Sequence, residues 1–204
     1  MSVADKNKWD AKYQMGAYAQ RRHPSVLLQE YVEDGPRGKA LDLACGAGRN
    51  SVSLATRGFE VTAVDISSVG LEQAQQQAKE QGVNISWVQM DLLADDSLSR
   101  ISETLCEEWQ LIVMTRFKAI DVLMECCKFL APGGMVIGEA HLVWDDPVGG
   151  PSARFRVQPN EVLQAIDSNP HLGLEIVHHF EGLVDDPDGE TMALSQIVAK
   201  KRLV

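Results

Sequence analysis

The chain has 204 residues, of which 45% are hydrophobic, and its formal net charge at pH 7 is -10. This length supports one sizeable hydrophobic core and is too short for two full enzyme domains. The acidic charge opposes the attraction to phosphate backbones on which nucleic-acid binding depends. No apolar run approaches the roughly 18 residues that span a bilayer, and the N-terminus lacks the apolar segment of a signal peptide. We therefore expect a cytoplasmic protein that binds neither nucleic acid nor membrane.

The predicted elements alternate between helix and strand along the chain. A polar helical leader carries Trp9, Tyr13 and Tyr18. Strands are predicted at residues 40–44, 60–65, 84–90, 110–115, 135–140, 174–180 and 192–200. Further helices are predicted at residues 24–32, 50–56, from 67 or 68 to 82, 98–107, 118–130 and 159–166. The acidic run at residues 185–190 is interpreted as a solvated hairpin tip between the last two strands.

This alternation predicts an α/β fold with a Rossmann-like, doubly wound, seven-stranded sheet. We expect the sheet to be mostly parallel, with an antiparallel strand near its C-terminal edge and helices on both faces. One domain is predicted to contain a helical N-terminal cap, a cofactor-binding core, a variable acceptor cap and the closing strands, at residues 1–35, 36–140, 141–173 and 174–204.

Polar residues follow the predicted strands where parallel strands share one rim of the sheet. Asp42 precedes a loop with Gly46 and Gly48, and Asp65 lies about twenty residues beyond that loop at the end of the second strand. A carboxylate there can accept hydrogen bonds from both hydroxyls of a ribose. A lone Gly-x-Gly is often only a tight turn, and Asp91, after the third strand, can simply cap a helix. Together these residues predict a nucleoside cofactor.

Several runs carry a more specific resemblance. The motifs in question are residues 40–51, 58–67, 91–92 and 130–134. They resemble the motifs of class I S-adenosylmethionine (SAM)-dependent methyltransferases, and the Gly-Arg-Asn triplet at 48–50 is similar to that of the tellurite-resistance and thiopurine-type branch. The resemblance implies SAM as cofactor, S-adenosylhomocysteine as product and a small-molecule acceptor. The chain departs from many relatives in Arg116-Phe117-Lys118 after the fourth strand, and it lacks the Asn-Pro-Pro-Tyr signature of amino-methylating nucleic-acid enzymes.

The same resemblance implies individual roles. Asp42, Gly46 and Gly48 would hold the methionine part of SAM, while Asp65 would bind the ribose and Asp91 the adenine amine. Spaced four residues apart, the two leader aromatics form either a packing face or a cover over the cofactor. The full predicted cofactor set is Trp9, Tyr13, Arg22, Asp42, Ala44, Cys45, Gly46, Gly48, Asn50, Asp65, Ile66, Asp91, Leu92 and Thr115.

Methyl transfer is an in-line displacement with a neutral leaving group, so positioning the acceptor and excluding water can suffice. Arg116 and His141 are the predicted catalytic residues because strand ends fix them near the ligand rim. Other candidates for acceptor contact are Arg22, His23, Trp144, Arg154 and Arg156, although loop arginines and histidines are often ordinary surface residues. Converging arginines would favour a soft or anionic acceptor. The adjacent pair Cys126-Cys127 and the absence of Cys-x-x-Cys spacing predict no metal site.

Two other functions stay open at this stage. A dinucleotide oxidoreductase shares the sheet, but its fingerprint places Gly or Ala where this chain has Ser51, and a hydrophobic residue is usual where it has Asp42. A SAM-binding sensor or assembly partner without catalysis fits the same motifs. The chain is expected to act as a monomer or a homodimer.

Overall fold

A computed structural model describes residues 3–16, 18–19, 21–32, 37–146 and 148–203 of the chain. The strands are β1 (Lys39–Leu43), β2 (Glu60–Asp65), β3 (Ile85–Gln89), β4 (Trp109–Thr115), β5 (Leu130–His141), β6 (Leu174–Asp185) and β7 (Thr191–Lys201). The helices are α1 (Val3–Gln14), α2 (Val26–Val32), α3 (Arg49–Thr56), α4 (Ser68–Glu80), α5 (Ser97–Thr104), α6 (Ile120–Cys127) and α7 (Glu161–Asp167). Residues 33–36, at the predicted boundary between cap and core, lie outside the described residues. Within the described ranges, no helix is both long and apolar enough to cross a membrane.

The seven described strands form one sheet in the order β3-β2-β1-β4-β5-β7-β6. Strands β1 to β5 pair in parallel, whereas β7 is antiparallel to both β5 and β6. The sheet confirms the predicted fold class. Strand order reverses between β1 and β4, and ligands of doubly wound sheets bind outside the carboxyl ends of the strands at such a point. The fold therefore places a crevice beside the ends of β1 and β4.

Hydrophobic side chains cover both faces of the sheet. Leu41 and Leu43 of β1 join the cluster that packs against α5, α6 and α7, while Ala40 joins Leu54 in the cluster on the α2, α3 and α4 side. This division follows from the alternation of side chains along a strand. Burying one leucine completely contributes about 2 kcal/mol. The same alternation directs the Asp42 side chain toward α3, where its carboxylate accepts a hydrogen bond from the Ser51 hydroxyl.

The connection from α6 to β5 differs from the prediction. The helix ends at Cys127, and β5 begins at Leu130, so the helix predicted at 118–130 was too long at both ends. The proline and two glycines that were expected to close the helix instead lie inside β5. The register shifts there, because Trp109 pairs with Leu130 while Leu111 pairs with Met135, and residues 131–134 bulge out of the ladder.

Candidate active site

A cavity of about 490 Å³ opens at the carboxyl ends of the central strands. Its volume is in the range of small-molecule sites. The predicted site residues that line it are Trp9, Tyr13, Ala44, Cys45, Gly46, Asn50, Asp65, Ile66, Asp91, Leu92, Thr115, Arg116 and His141. Three predicted members, Arg22, Asp42 and Gly48, are not among the lining residues.

The loop after β1 depends on backbone angles that favour glycine. Gly46 and Gly48 have φ values of 57° and 83°. A Cβ added to Gly46 would lie 2.4 Å from the Tyr13 hydroxyl oxygen, and one added to Gly48 would lie 2.7 Å from the Ala74 Cβ. Gly46 thus allows the Tyr13 hydroxyl to approach the loop closely, whereas Gly48 allows α3 to pack closely against α4.

Asp65 ends β2 and lines the cavity beside this loop. Its Oδ2 accepts a hydrogen bond of 2.8 Å from the Gly46 backbone N–H, and its Oδ1 accepts one of 2.8 Å from the Ser67 N–H. Burial raises the pKa of this carboxyl above its ordinary value. Each carboxylate oxygen has a second lone pair, so Asp65 can still accept hydrogen bonds from vicinal hydroxyls.

The neighbouring wall suits a flat base. Ile66, Met90 and Leu92 contribute apolar surface, and Asp91 lies between them in the lining. The Asp91 Oδ1 accepts a 3.0 Å hydrogen bond from the Leu93 N–H. The carboxylate therefore stabilises the turn after β3 and also lines the cavity; it does not cap α5, whose N-cap is Asp96, so the alternative interpretation as a helix cap was wrong.

Helix α1 covers the mouth of the cavity. The Trp9 and Tyr13 rings lie 6.3 Å apart, and the Tyr18 ring is 6.3 Å from that of Tyr13. Asp10 fastens the helix to the start of α4, because its Oδ1 accepts a 2.6 Å hydrogen bond from the Ser67 hydroxyl. The spacing of the leader aromatics therefore corresponds to a cover over the cavity.

Asp42 lies behind the glycine loop. The carboxyl is fully buried and accepts a 2.5 Å hydrogen bond from the Ser51 hydroxyl, so it joins β1 to α3. Burial raises its pKa to about 7. This geometry gives Asp42 a positioning role beneath the loop and no direct contact with a ligand.

The acceptor side of the cavity is centred on Arg116. This residue has a φ of 60°, and its guanidinium pairs with Glu139 at 2.5 Å and with Asp186 at 2.7 Å. Asn50 donates a 2.8 Å hydrogen bond to the Thr115 hydroxyl beside it. Non-glycine residues with positive φ carry strain, which the surrounding contacts must hold in place.

The acidic tip of the β6–β7 hairpin is solvated as predicted at residues 185 and 187–190, but Asp186 within it is buried. Asp186 is buried between Arg116 and Arg21, while Asp188 and Glu190 each lie 2.9 Å from the Arg21 guanidinium. Arg21, and not the exposed Arg22, faces the cavity. Arg21 and Arg116 supply the positive charges that compensate the buried Asp186. The charge pattern of the hairpin segment alone does not reveal these distant partners.

His141 ends β5 and is 7% exposed. Burial, reinforced by the charges of Arg116, Arg156 and Arg21, lowers its pKa to about 3. Its Nδ1 is buried without a hydrogen-bond partner among the described residues. The ring is therefore neutral at physiological pH.

We expect the His141 imidazole to stay neutral from pH 8 down to pH 5. In a histidine NMR titration, the resonance that is absent from His141→Gln should not move across this range, because protonation would add a charge to a buried, cationic environment. A midpoint near 6.5 for His141 would contradict the prediction.

The other acceptor candidates lie apart from the cavity wall. Arg156 donates hydrogen bonds to backbone carbonyls, including that of Pro151, and so holds the loop after β5. Trp144 and Arg154 are exposed, and His23 bonds the carbonyl of Pro24. The lining residues that the sequence analysis did not assign include Lys8, Lys12, Arg21, Arg49, Lys118, Phe155, Glu190 and Met192. Of these, Lys8 and Lys12 could have been found, because they precede Trp9 and Tyr13 by one residue each and share their helical spacing of four.

Comparison with known sequences agrees with this site. Residues 40–134 match a family described as methyltransferase domain. The ubiquinone biosynthesis O-methyltransferase of Erwinia tasmaniensis is 29% identical over 150 residues, which are 65% of this chain and 60% of that protein. A putative methyltransferase of Bacillus subtilis is 28% identical over 62% of this chain and 51% of its own length. The chain thus spans little more than half of these relatives.

Solved structures share the fold. TehB from Haemophilus influenzae superposes with a TM-score of 0.70 at 21% identity, covering 94% of this chain and 66% of that one. The N-methyltransferase NodS from Bradyrhizobium japonicum, solved with S-adenosylhomocysteine, gives 0.60 at 19% identity over 86% and 83% of the two chains.

Proposed function

We propose that the chain is a class I SAM-dependent methyltransferase and that it transfers a methyl group from SAM to a small, soft or anionic acceptor. The observation that carries this proposal is the two-ended cavity. One end has the glycine loop and the Asp65 carboxylate, and the other has Arg21, Arg116 and neutral His141. The cytoplasm is the proposed location.

The lining residues fit SAM. Asp65 can accept from the ribose hydroxyls, and the apolar wall of Ile66 and Leu92 can sandwich the adenine beside Asp91. The glycine loop and Tyr13 line the part of the cavity that would hold the methionyl part. SAM supplies an activated methyl group on a positively charged sulfur. Among the described residues no cluster of His, Cys, Asp or Glu has the arrangement of a metal site.

The protein's contribution is orientation and the exclusion of water. Trp9 and Tyr13 cover the reaction space, while Arg116 is held in one orientation by two carboxylates. A thiolate or other anion needs no base. An acceptor hydroxyl would need one, and burial lowers the pKa of His141 to about 3, which makes its imidazole too weak a base for that role.

The charge of the lining favours an anionic acceptor. Six basic residues line the cavity of the described structure: Lys8, Lys12, Arg21, Arg49, Arg116 and Lys118. Three acidic residues, Asp65, Asp91 and Glu190, face them. Arg21, Arg116 and Lys118 already pair with carboxylates. In a chain of net charge -10, the cations that concentrate small anions at the site are therefore Lys8, Lys12 and Arg49. An ionised hydroxyl is one such anionic acceptor, and methylation of an oxygen would agree with the O-methyltransferases among the relatives.

Calorimetric titration with SAM, S-adenosylhomocysteine and NAD tests the proposal. We expect the first two to bind wild-type protein and NAD not to bind. Asp65→Ala should weaken SAM binding about 100-fold, because hydrogen bonds to a charged group contribute about 1.5 to 3 kcal/mol. The matched control is Asp95→Ala, which removes an exposed carboxylate that does not line the cavity.

Two outcomes would contradict the proposal. Binding of NAD alone would favour an oxidoreductase. Equal affinity of Asp65→Ala and Asp95→Ala for SAM would mean that Asp65 does not bind the cofactor. A SAM-binding sensor is the remaining alternative. It is distinguished by turnover, since a catalyst forms S-adenosylhomocysteine when thiols, oxyanions or small carboxylates are supplied and a sensor does not.

A further inference from the structure

Two lysines of α1 line the cavity without a carboxylate partner. Lys8 and Lys12 are four residues apart, so they share one face of the helix. No described carboxylate oxygen lies within ion-pair distance of either ammonium group. Lys6, the third lysine of α1, does not line the cavity and pairs with Asp10. Within this helix, the lysines without an ion pair are therefore those that line the cavity.

Both ammonium groups lie over aromatic rings at the mouth of the cavity. The Lys8 Nζ is 5.1 Å from the centre of the Phe155 ring, and the Lys12 Nζ is 4.3 Å from that of Trp9. Such contacts hold a cation in place while its N–H groups can still donate to a ligand. Two like charges four residues apart destabilise a helix, and burial, followed by the Lys8 charge, lowers the pKa of Lys12. An anion bound at these two groups would remove their repulsion.

Lys8 lies on the acceptor side of the cavity. Its ring partner Phe155 belongs to the loop that follows β5. This loop also touches the end of β5, because a Cβ added to Gly150 would lie 2.8 Å from the His141 Nδ1. Gly150 and Phe155 both line the cavity. A ligand that contacts Lys8 can therefore extend along this loop toward the predicted catalytic residues.

The other cations on the acceptor side are already compensated. Arg21 and Arg116 face four carboxylates, which belong to Glu139, Asp186, Asp188 and Glu190. This group carries a net negative charge, so it does not attract another anion. The lining also contributes apolar surface at Phe117, Phe155 and Met192. Such a distribution suits a ligand with an apolar body and an anionic group at the end that meets α1.

We propose that Lys8 and Lys12 bind the anionic group of the acceptor, so that the substrate is a small acid with an apolar or aromatic body. Its methyl-accepting atom would then lie apart from its anionic end. This inference deepens the proposed function and rests on it. The ammonium groups would donate charge-assisted hydrogen bonds to the acid, and Trp9 and Phe155 would contact its body. A bound acid would also stabilise the cover that α1 forms.

Calorimetric titration of the S-adenosylhomocysteine complex with benzoate and benzamide tests the inference, because these probes share a ring and differ in charge. We expect wild-type protein to bind benzoate about 10-fold more tightly than benzamide. Lys8→Gln and Lys12→Gln should each weaken benzoate binding about threefold, and the double variant about 10-fold. These factors are modest because Lys8 is exposed. Lys12→Arg keeps the charge and should keep the preference for benzoate.

The matched control is Lys79→Gln, which removes an exposed positive charge of α4 that does not line the cavity. Its affinity for both probes should equal that of the wild type. Benzamide and S-adenosylhomocysteine should bind every lysine variant within about twofold of the wild-type affinity. This comparison separates an effect on the acceptor from an effect on the cofactor or on folding.

Three results would overturn the inference. Wild-type affinity for benzoate no higher than for benzamide would mean that the cavity does not select an acid. Benzoate binding that persists in the double variant would place the anion at another cation. A parallel loss of S-adenosylhomocysteine binding would assign the lysines to the cofactor. If wild-type protein bound no S-adenosylhomocysteine, the proposed function would fail together with this inference, whereas normal binding confines a failure to the two lysines.

Discussion

Asp186→Asn is expected to lower the free energy of unfolding by about 3 kcal/mol at pH 7, because removing one partner of a buried ion pair leaves the other charge uncompensated. The carboxylate is 5% exposed, and its Oδ1 lies 2.7 Å from the Arg116 guanidinium. Arg21 approaches its Oδ2 at 3.8 Å. Glu139 still pairs with Arg116 in the variant, which keeps the loss at the lower end of the range for buried pairs.

Urea unfolding monitored by circular dichroism measures this difference. Asp185→Asn is the matched control, because that neighbouring carboxylate is exposed and bonds only the Thr191 hydroxyl. Its expected loss is below about 1 kcal/mol, as for surface substitutions generally. Equal unfolding midpoints for the two variants would mean that the hairpin tip contributes no more than an ordinary solvated turn.

Asp42→Asn is expected to make the protein more stable than the wild type at pH 8. The difference in the free energy of unfolding between variant and wild type should become smaller as the pH falls. Burial raises the pKa of Asp42 from an ordinary value of 3.8 to about 7. Below pH 4 the carboxyl is protonated in both folded and unfolded chains. As the pH rises toward 7, the unfolded chain loses the proton first, so stability that is present below pH 4 is lost through pH 7.

The span between the two pKa values corresponds to a loss of about 4 kcal/mol as an upper limit. Denaturant unfolding at several pH values, with Asp95→Asn as the exposed control, measures the difference between variant and wild type. Asparagine keeps an oxygen that can accept from the Ser51 hydroxyl, so the tie between β1 and α3 persists. Parallel stability curves from pH 4 to pH 8 would show that Asp42 does not titrate in this range.

Much of the cofactor half could be predicted because its signals are local. The alternation of apolar residues defined β2 at its observed bounds, and Ser67 caps α4 as expected by accepting a hydrogen bond from the Gly70 N–H. Parallel strands bring their ends to one rim, so Asp65 and Thr115 could be placed together without knowledge of side-chain contacts.

The acceptor half depends on partners far apart in the chain. Arg116 and Asp186 are 70 positions apart, and Arg21 and Asp188 are 167 positions apart. Pairs at such separations produce no periodic pattern in the sequence. Arg21 and Arg22 are adjacent in a segment without regular structure, so no periodicity in the sequence predicts that Arg21 is the one that lines the cavity. The predicted roles of the individual site residues and the division into cap, core and closing strands stay predictions.

The position of β7 sets an order for completing the molecule. It is the last strand along the chain, yet it lies between β5 and β6 in the sheet. During synthesis a nascent chain can assemble β1 to β5, but β6 has no place until β7 has paired with β5. Until then the edge of β5 is open to pairing with other chains, and Arg21 and Arg116 lack Asp186. A chain truncated before residue 191 would therefore expose the unpaired edge of β5, which favours aggregation, and would leave Arg21 and Arg116 without the carboxylates of the folded hairpin.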